Sequence, residues 1–233
     1  MSKTIIFLSA GHGGSDPGAV AYGMKEKDIN LQIMLSCRDE LKRHGLKIIC
    51  SRTKDESDAV TEEVREANAS GAKLAVSFHT NAGGGDGSES LYNSNSKAGK
   101  KLAKLCEEEV KKLGQNSRGI KERDELWFLR GTNMTSVLCE CAFIDNKKDN
   151  KIIDTKKEQK AFGVAYAKAI LKYLGITYKA KKSVTKKYHT VEKGETMYKI
   201  ANMYSTTVAN IMKLNVSIKD ENKISVGQKI RVK

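Results

Sequence analysis

A chain of 233 residues with 42 lysines and arginines against 28 acidic residues carries a formal net charge of +14. That surplus points to an acidic partner such as nucleic acid, an anionic membrane or an anionic wall polymer. It does not point to a membrane span, because no apolar run approaches the roughly 20 residues a helical crossing needs. The opening Met-Ser-Lys and its short apolar run are too brief for a secretory core of about 7–15 residues. Synthesis in the cytoplasm, without a signal peptide and with release by another route, is therefore expected.

The chain then alternates strand-like and helix-like segments. Residues 3–9 read as a buried strand, followed by the glycine-rich stretch Ser9-Ala10-Gly11-His12-Gly13-Gly14-Ser15-Asp16-Pro17-Gly18-Ala19. Residues 28–44 place Ile29, Ile33, Cys37 and Leu41 in one helical stripe. A strand is expected at 46–51, a polar helix at 59–70, and strands at 74–78 and 90–92. A helix at 97–113, short strands at 126–129 and 136–143, and an amphipathic helix at 157–174 complete the pattern. Such alternation implies an α/β domain: a largely parallel, twisted sheet flanked by helices on both faces. The cysteines (Cys37, Cys50, Cys106, Cys139 and Cys141) are odd in number and lack zinc-finger spacing, so buried free thiols are expected.

The character changes after Gly175. Residues 176–187 hold five lysines and no acidic residue, and read as a solvated linker. Residues 176–233 hold 13 basic and 4 acidic side chains, against 29 and 24 in the first 175, so most of the excess charge lies in the tail. Residues 188–233 suggest a strand, two short helices and a closing strand. The chain thus divides into a main domain at 1–175, a linker at 176–187 and a small domain at 188–233.

Two histidines fall just after expected strands, His12 in the glycine loop and His79 in Ser77-Phe78-His79-Thr80-Asn81-Ala82. Residues past strand ends gather at the carboxyl edge of a parallel sheet, where ligands bind. Glu26, where the next helix begins, is a third candidate. Two imidazoles and a carboxylate form a donor set for catalytic zinc with a position left for water. Separately, each has a plainer reading, as turn histidines and a helix N-terminal acid. A phosphate loop fits worse, since the stretch lacks both the dinucleotide fingerprint and the Gly-Lys-Ser/Thr of a P-loop. In Val137-Leu138-Cys139-Glu140-Cys141-Ala142-Phe143, alternation turns Glu140 away from its two cysteine neighbours. A carboxylate in so apolar a run needs a partner, a metal-bound water or the metal's field, unless it faces solvent on an edge strand.

Gly11-His12-Gly13-Gly14 with Asp16-Pro17-Gly18, Glu26, Ser77 to Ala82, and Glu140 before Phe143-Ile144-Asp145-Asn146 together resemble the zinc-dependent N-acetylmuramoyl-L-alanine amidases. The resemblance spans about residues 3–175 with the motifs in family order. It implies that His12, Glu26 and His79 hold Zn2+ and that Glu140 is the catalytic acid/base. It also implies the substrate, the amide between N-acetylmuramic acid and L-alanine in peptidoglycan.

The stretch from Tyr188-His189-Thr190-Val191 through Gly194-Glu195-Thr196-Met197 resembles the start of a LysM module. Asn210-Ile211-Met212-Lys213-Leu214-Asn215 and Ile224-Ser225-Val226-Gly227-Gln228-Lys229-Ile230 continue that pattern. The resemblance implies a small βααβ fold that binds N-acetylglucosamine-containing glycans. It also implies that Gly194, Glu195, Thr196, Met197, Asn215 and Ile218 stand in the glycan-binding loops. Relatives usually carry aspartate, leucine and proline where this chain has Glu195, Met197 and Val216.

The expected function is peptidoglycan hydrolysis, in a phage endolysin or, alternatively, a bacterial autolysin released at mother-cell lysis. A non-catalytic wall binder conflicts with the intact set His12, Glu26, His79 and Glu140. A nucleic-acid binder conflicts with a tail poor in arginine and in interleaved aromatics.

Overall fold

The computed structural model describes residues 4–57, 59–181 and 186–233. The expected start of the first strand at Lys3 and the linker residues 182–185 lie outside them. The chain forms two compact units, Met1–Lys179 and Ala180–Lys233.

The first unit runs β1 (Ile5–Ala10), β2 (Val20–Ala21), β3 (Met24–Lys25), α1 (Glu26–Arg43), β4 (Lys47–Cys50), α2 (Val60–Ala69), β5 (Leu74–Asn81) and β6 (Ser88–Tyr92). It continues through α3 (Lys97–Lys111), β7 (Ser117–Glu122), α4 (Trp127–Gly131), β8 (Thr135–Phe143), α5 (Lys147–Ile153) and α6 (Lys156–Tyr173). Among the described residues, six strands form one sheet in the order β4-β1-β5-β8-β6-β7. Every neighbouring pair is parallel except β6 and β8, so the sheet is mixed. The central strands are apolar on both faces, as burial beneath two helical layers requires. Ile6, Leu8, Val76 and Phe78 pack with α1, α3 and α6, whereas the alternating Phe7, Ala75 and Leu138 pack with Val64 of α2 and Phe128 of α4.

Two local features fix the α1–α6 pair. At Gly163 an added Cβ would lie 2.3 Å from the Ile33 carbonyl oxygen, so only a bare backbone allows this approach. The start of α6 is set by a capping box, in which the Thr155 hydroxyl accepts from Glu158 N and the Glu158 carboxylate accepts from Thr155 N.

The structure corrects the sequence expectations in several places. Residues 126–129 are not a strand: Leu129 N and Arg130 N both donate to the Leu126 carbonyl and wind the segment into α4. A short apolar run has no period that separates the two states. The strand β7, the helix α5 and the β2–β3 hairpin are additional elements that the sequence pattern does not reveal. His79 lies inside β5 rather than after it. The segment after α6 is not solvated from its start, because Ile176 and Tyr178 pack on the main core. Tyr178 stacks on His44 at 5.2 Å between ring centroids, and Lys179 N donates to His44 Nε2 at 2.9 Å.

The second unit contains β9 (Tyr188–Thr190), α7 (Met197–Met203), α8 (Val208–Leu214) and β10 (Lys229–Arg231), with β9 and β10 antiparallel. Its own core joins Val191, Met197, Ile200, Ile211, Ile230 and Val232. All five cysteines are free, Cys50 half-buried and the other four buried. No helix among the described residues is long and apolar enough to cross a membrane.

Candidate metal centre and active site

The registers of β1, β5 and β8 bring the candidate residues together. Ala10 pairs with Phe78, so the chain leaving β1 runs beside His79, and His79 is directly opposite Glu140 on β8. Glu26 enters from the first turn of α1 and is almost wholly buried. Its Oε1 lies 3.2 Å from His12 Nε2 and 3.1 Å from His79 Nδ1. One donor atom from each of the three residues falls within 4.8 Å of the others. Donor–metal bonds of about 2.0–2.1 Å in a tetrahedron imply donor–donor edges of about 3.3 Å, which both measured separations match. Two imidazole nitrogens and a carboxylate oxygen facing a common point suit a borderline-soft divalent cation.

The surrounding chain holds each donor in place. His12 Nδ1 donates to Asp16 Oδ2 at 2.7 Å, which turns Nε2 toward the centre. His12 also sits at φ 65°, a strained setting for a non-glycine residue. Glu26 Oε2 accepts from Ala19 N at 2.9 Å, and its Oε1 accepts from Thr80 N and from Asn30 Nδ2. Asn30 also donates to the Gly11 carbonyl and accepts from the Thr80 hydroxyl. Buried Arg52 donates to the carbonyls of Ala10 and Lys27, pinning the loop to α1. Sequence reasoning misses Asn30 and Arg52, and gives Asp16 no role of its own. At Gly11 a Cβ would lie 2.0 Å from His79 Cε1, so the absence of a side chain makes room for the imidazole.

Electrostatics follow from this crowding. The hydrogen bond to Glu26 is the main cause raising the His12 pKa to about 9, with burial opposing it. Burial raises the Glu26 pKa, but the two histidines outweigh it and hold the carboxyl well below its usual range. Burial pushes Glu140 up to about 7, while the charge of His79 pulls it down. Glu140 Oε2 is a buried oxygen with no hydrogen-bond partner, an expensive arrangement for a purely structural side chain. Cys139 and Cys141 point into the opposite core, as strand alternation requires. A cleft of about 370 Å³ opens beside His12 and His79, walled by Val60, Leu126, Trp127 and Leu138.

In the second unit the six candidate residues do different things. Met197 and Ile218 lie in the core, so their side chains do not face a ligand. Asn215 Nδ2 donates to the carbonyls of Ile211 and Arg231, and its Oδ1 accepts from Arg231 N. Glu195 accepts from His189 Nε2 at 2.6 Å and from Glu192 N at 2.7 Å. Thr196 caps α7, and it and Gly194 are exposed.

Comparison with known proteins matches this geometry to a family. A model described as N-acetylmuramoyl-L-alanine amidase matches residues 6–172, and a LysM-domain model matches residues 189–233. The chain is 36% identical over 205 residues to the endolysin of Bacillus phage SPP1, covering 84% of this chain and 75% of that protein. It is 35% identical over 147 residues to the N-acetylmuramoyl-L-alanine amidase CwlM of Bacillus licheniformis, covering 62% of this chain and 58% of that protein. Among solved structures, the CwlD amidase of Clostridioides difficile, in complex with the GerS lipoprotein, superposes with a TM-score of 0.70 at 32% identity. That match covers 74% of this chain and 99% of CwlD. The chain belongs to the N-acetylmuramoyl-L-alanine amidase family. It is an enzyme of peptidoglycan hydrolysis with a wall-binding LysM domain behind its amidase domain.

Proposed function

We propose that His12 Nε2, Glu26 Oε1 and His79 Nδ1 hold one zinc ion, and that Glu140 is the acid/base for cleavage of the muramoyl–L-alanine amide. The observation that carries this reading is the convergence of three donors beside a buried, unpartnered carboxylate oxygen. When bound, zinc supplies Lewis acidity, acidifying water toward neutral pH and polarising an amide carbonyl. Glu140 Oε2, a buried oxygen with no protein partner, takes a proton from the attacking water and passes it to the departing amine of L-alanine. Asp16 keeps the His12 imidazole in the tautomer that leaves Nε2 free to ligate. The cleft wall of Val60, Leu126 and Trp127 excludes water from one side of the reacting group.

Two further assignments accompany this one. The similarity to a phage endolysin extends over 205 residues, more than the amidase unit contains, and supports an endolysin acting on the wall after release. In the LysM domain, Gly194 and Thr196 with the backbone of the loops around residues 194–197 and 215–218 contact the glycan. Met197, Asn215 and Ile218 shape those loops from behind. The segments are assigned as amidase domain, lysine-rich linker and LysM domain.

The test separates metal binding from proton transfer. His79→Ala should lose most of its zinc by elemental analysis. Glu140→Gln should retain zinc and fold but lose about 10²–10⁴ in the rate of wall hydrolysis, the scale of general acid–base catalysis. Full zinc occupancy in the first variant, or near-parental hydrolysis by the second, would refute the assignment.

A further inference from the structure

A row of charged side chains runs from the metal-ligand cluster to the edge of the sheet, and proton transfer during hydrolysis uses only its first half. His79, Glu140 and Glu89 sit in register on β5, β8 and β6, so their side chains share one face. Glu89 is buried, and Asn81 Nδ2 donates to its Oε1 at 3.3 Å. Its Oε2 accepts from Arg118 Nε at 2.8 Å and Lys121 Nζ at 2.5 Å, both from β7. Two cations on one carboxylate leave a net positive charge at this spot.

The guanidinium of Arg118 is set up as a receptor. Nε is used by Glu89, and the group lies over the Phe143 ring with Cζ 5.0 Å from the centroid. These two contacts fix its plane. Among the described residues, Nη1 and Nη2 donate to no protein acceptor, and the side chain is 37% exposed. A planar fork that is already oriented, with its outer edge open, matches a carboxylate with two parallel hydrogen bonds.

We propose that Arg118, backed by Lys121, receives a carboxylate of the stem peptide and so orients the peptide side of the substrate across Glu140. This rests on the amidase reading above. Arg118 is a specificity and positioning residue. Its guanidinium is bonded to a side chain of β6, the strand next to β8, so it stands one to two strand spacings from Glu140, about 5–10 Å. An extended peptide advances about 3.3–3.6 Å per residue, so the carboxylate belongs one to three residues beyond the cut. The muramoyl side then points the other way, toward the cleft lined by Trp127 and Leu126.

The test compares two soluble muramoyl-L-alanyl peptides that differ only in the next residue, one ending in an acidic side chain and one in its amide isostere. The parent should favour the acid in kcat/KM by about 10–100-fold, the range for a hydrogen-bonded charge pair. Arg118→Gln should bring the ratio of kcat/KM for the acidic peptide over the amide down to about one, through a loss that falls on the acidic peptide. Arg118→Lys, which can keep a cation on Glu89 without the fork, should fall between them. Equal kcat/KM for the two peptides with the parent would overturn the proposal. So would an equal loss on both peptides in both variants, since that marks a structural role. If the parent cleaved neither peptide and also released no L-alanine amine ends from purified walls, the amidase reading itself would fall.

Discussion

Replacing Glu140 by glutamine should stabilise the metal-free protein, and by an amount that depends on pH. Burial raises the carboxyl from its ordinary 4.5 to about 7. Between these values the folded state binds a proton that the unfolded state releases, so parental stability falls as pH rises from about 4.5 to 7. Above that window the cost of holding the charge is fully present, and below it the group is neutral in both states. At about 1.4 kcal/mol per pH unit, the step is worth about 3 kcal/mol at pH 8. Residual solvent contact of the half-buried side chain trims that to about 2–3 kcal/mol. An amide of the same shape escapes this charge penalty. Urea unfolding of chelator-treated parent and Glu140→Gln should therefore show the variant about 2–3 kcal/mol more stable at pH 8, with the gap below about 1 kcal/mol at pH 5. A gap that stays constant with pH, or a variant less stable at pH 8, would refute the reasoning. The carboxylate would then have a partner that stabilises its charge.

Gly11→Ala keeps every donor but places a methyl group 2.0 Å from the His79 ring, so zinc content should fall nearly as far as in His79→Ala. Elemental analysis at matched protein concentration decides the point, and full occupancy would show that the imidazole has room to move. The His12 pKa of about 9 means that a metal must displace a proton at neutral pH, so zinc affinity should rise about tenfold per pH unit between 7 and 9 and level off above. Calorimetry in buffers of different ionisation enthalpy should count at least one proton released per ion at pH 7, and a count of zero would show that His12 is already neutral before the metal binds. Truncation after Lys179 should leave the amidase unit folded and zinc-loaded, while depressing lysis of whole walls far more than hydrolysis of a soluble muramoyl peptide. Residues 180–233 should still pull down peptidoglycan at physiological ionic strength, where the Debye length is about 8 Å; binding lost there would mean that charge alone holds the tail.

The proposed ligands His12, Glu26 and His79 and the proposed acid/base Glu140 are legible in the sequence because metal-binding and acid/base chemistry narrows the residue types, and alternating strands and helices give each one an address. Their supports are not. Asn30 and Arg52 are ordinary polar residues whose importance lies in partners distant in sequence, such as the Gly11 carbonyl and the Ala10 carbonyl. The apolar run at Leu126 hides a helix because four residues carry no period. β7 escapes notice because Ser-Arg-Gly-Ile-Lys-Glu is an edge strand with little to bury. In the LysM domain, resemblance supplies positions along the chain but not directions, so it places Met197 among the ligand contacts although the side chain fills the core.

The pairing of His79 with Glu140 across adjacent strands has a mechanical meaning. The gap between His79 and Glu140, the proposed proton carrier, is set by the pitch of the sheet, about 4.8 Å from strand to strand, and backbone hydrogen bonds keep that pitch from stretching or closing. On the proposed assignment, the Glu140 carboxylate must therefore match the gap through its own length. Aspartate at position 140, shorter by one methylene, would leave a shortfall of roughly 1.5 Å that no loop is available to absorb. In this enzyme the sheet acts as a gauge block, and the side chain at 140 is cut to its size.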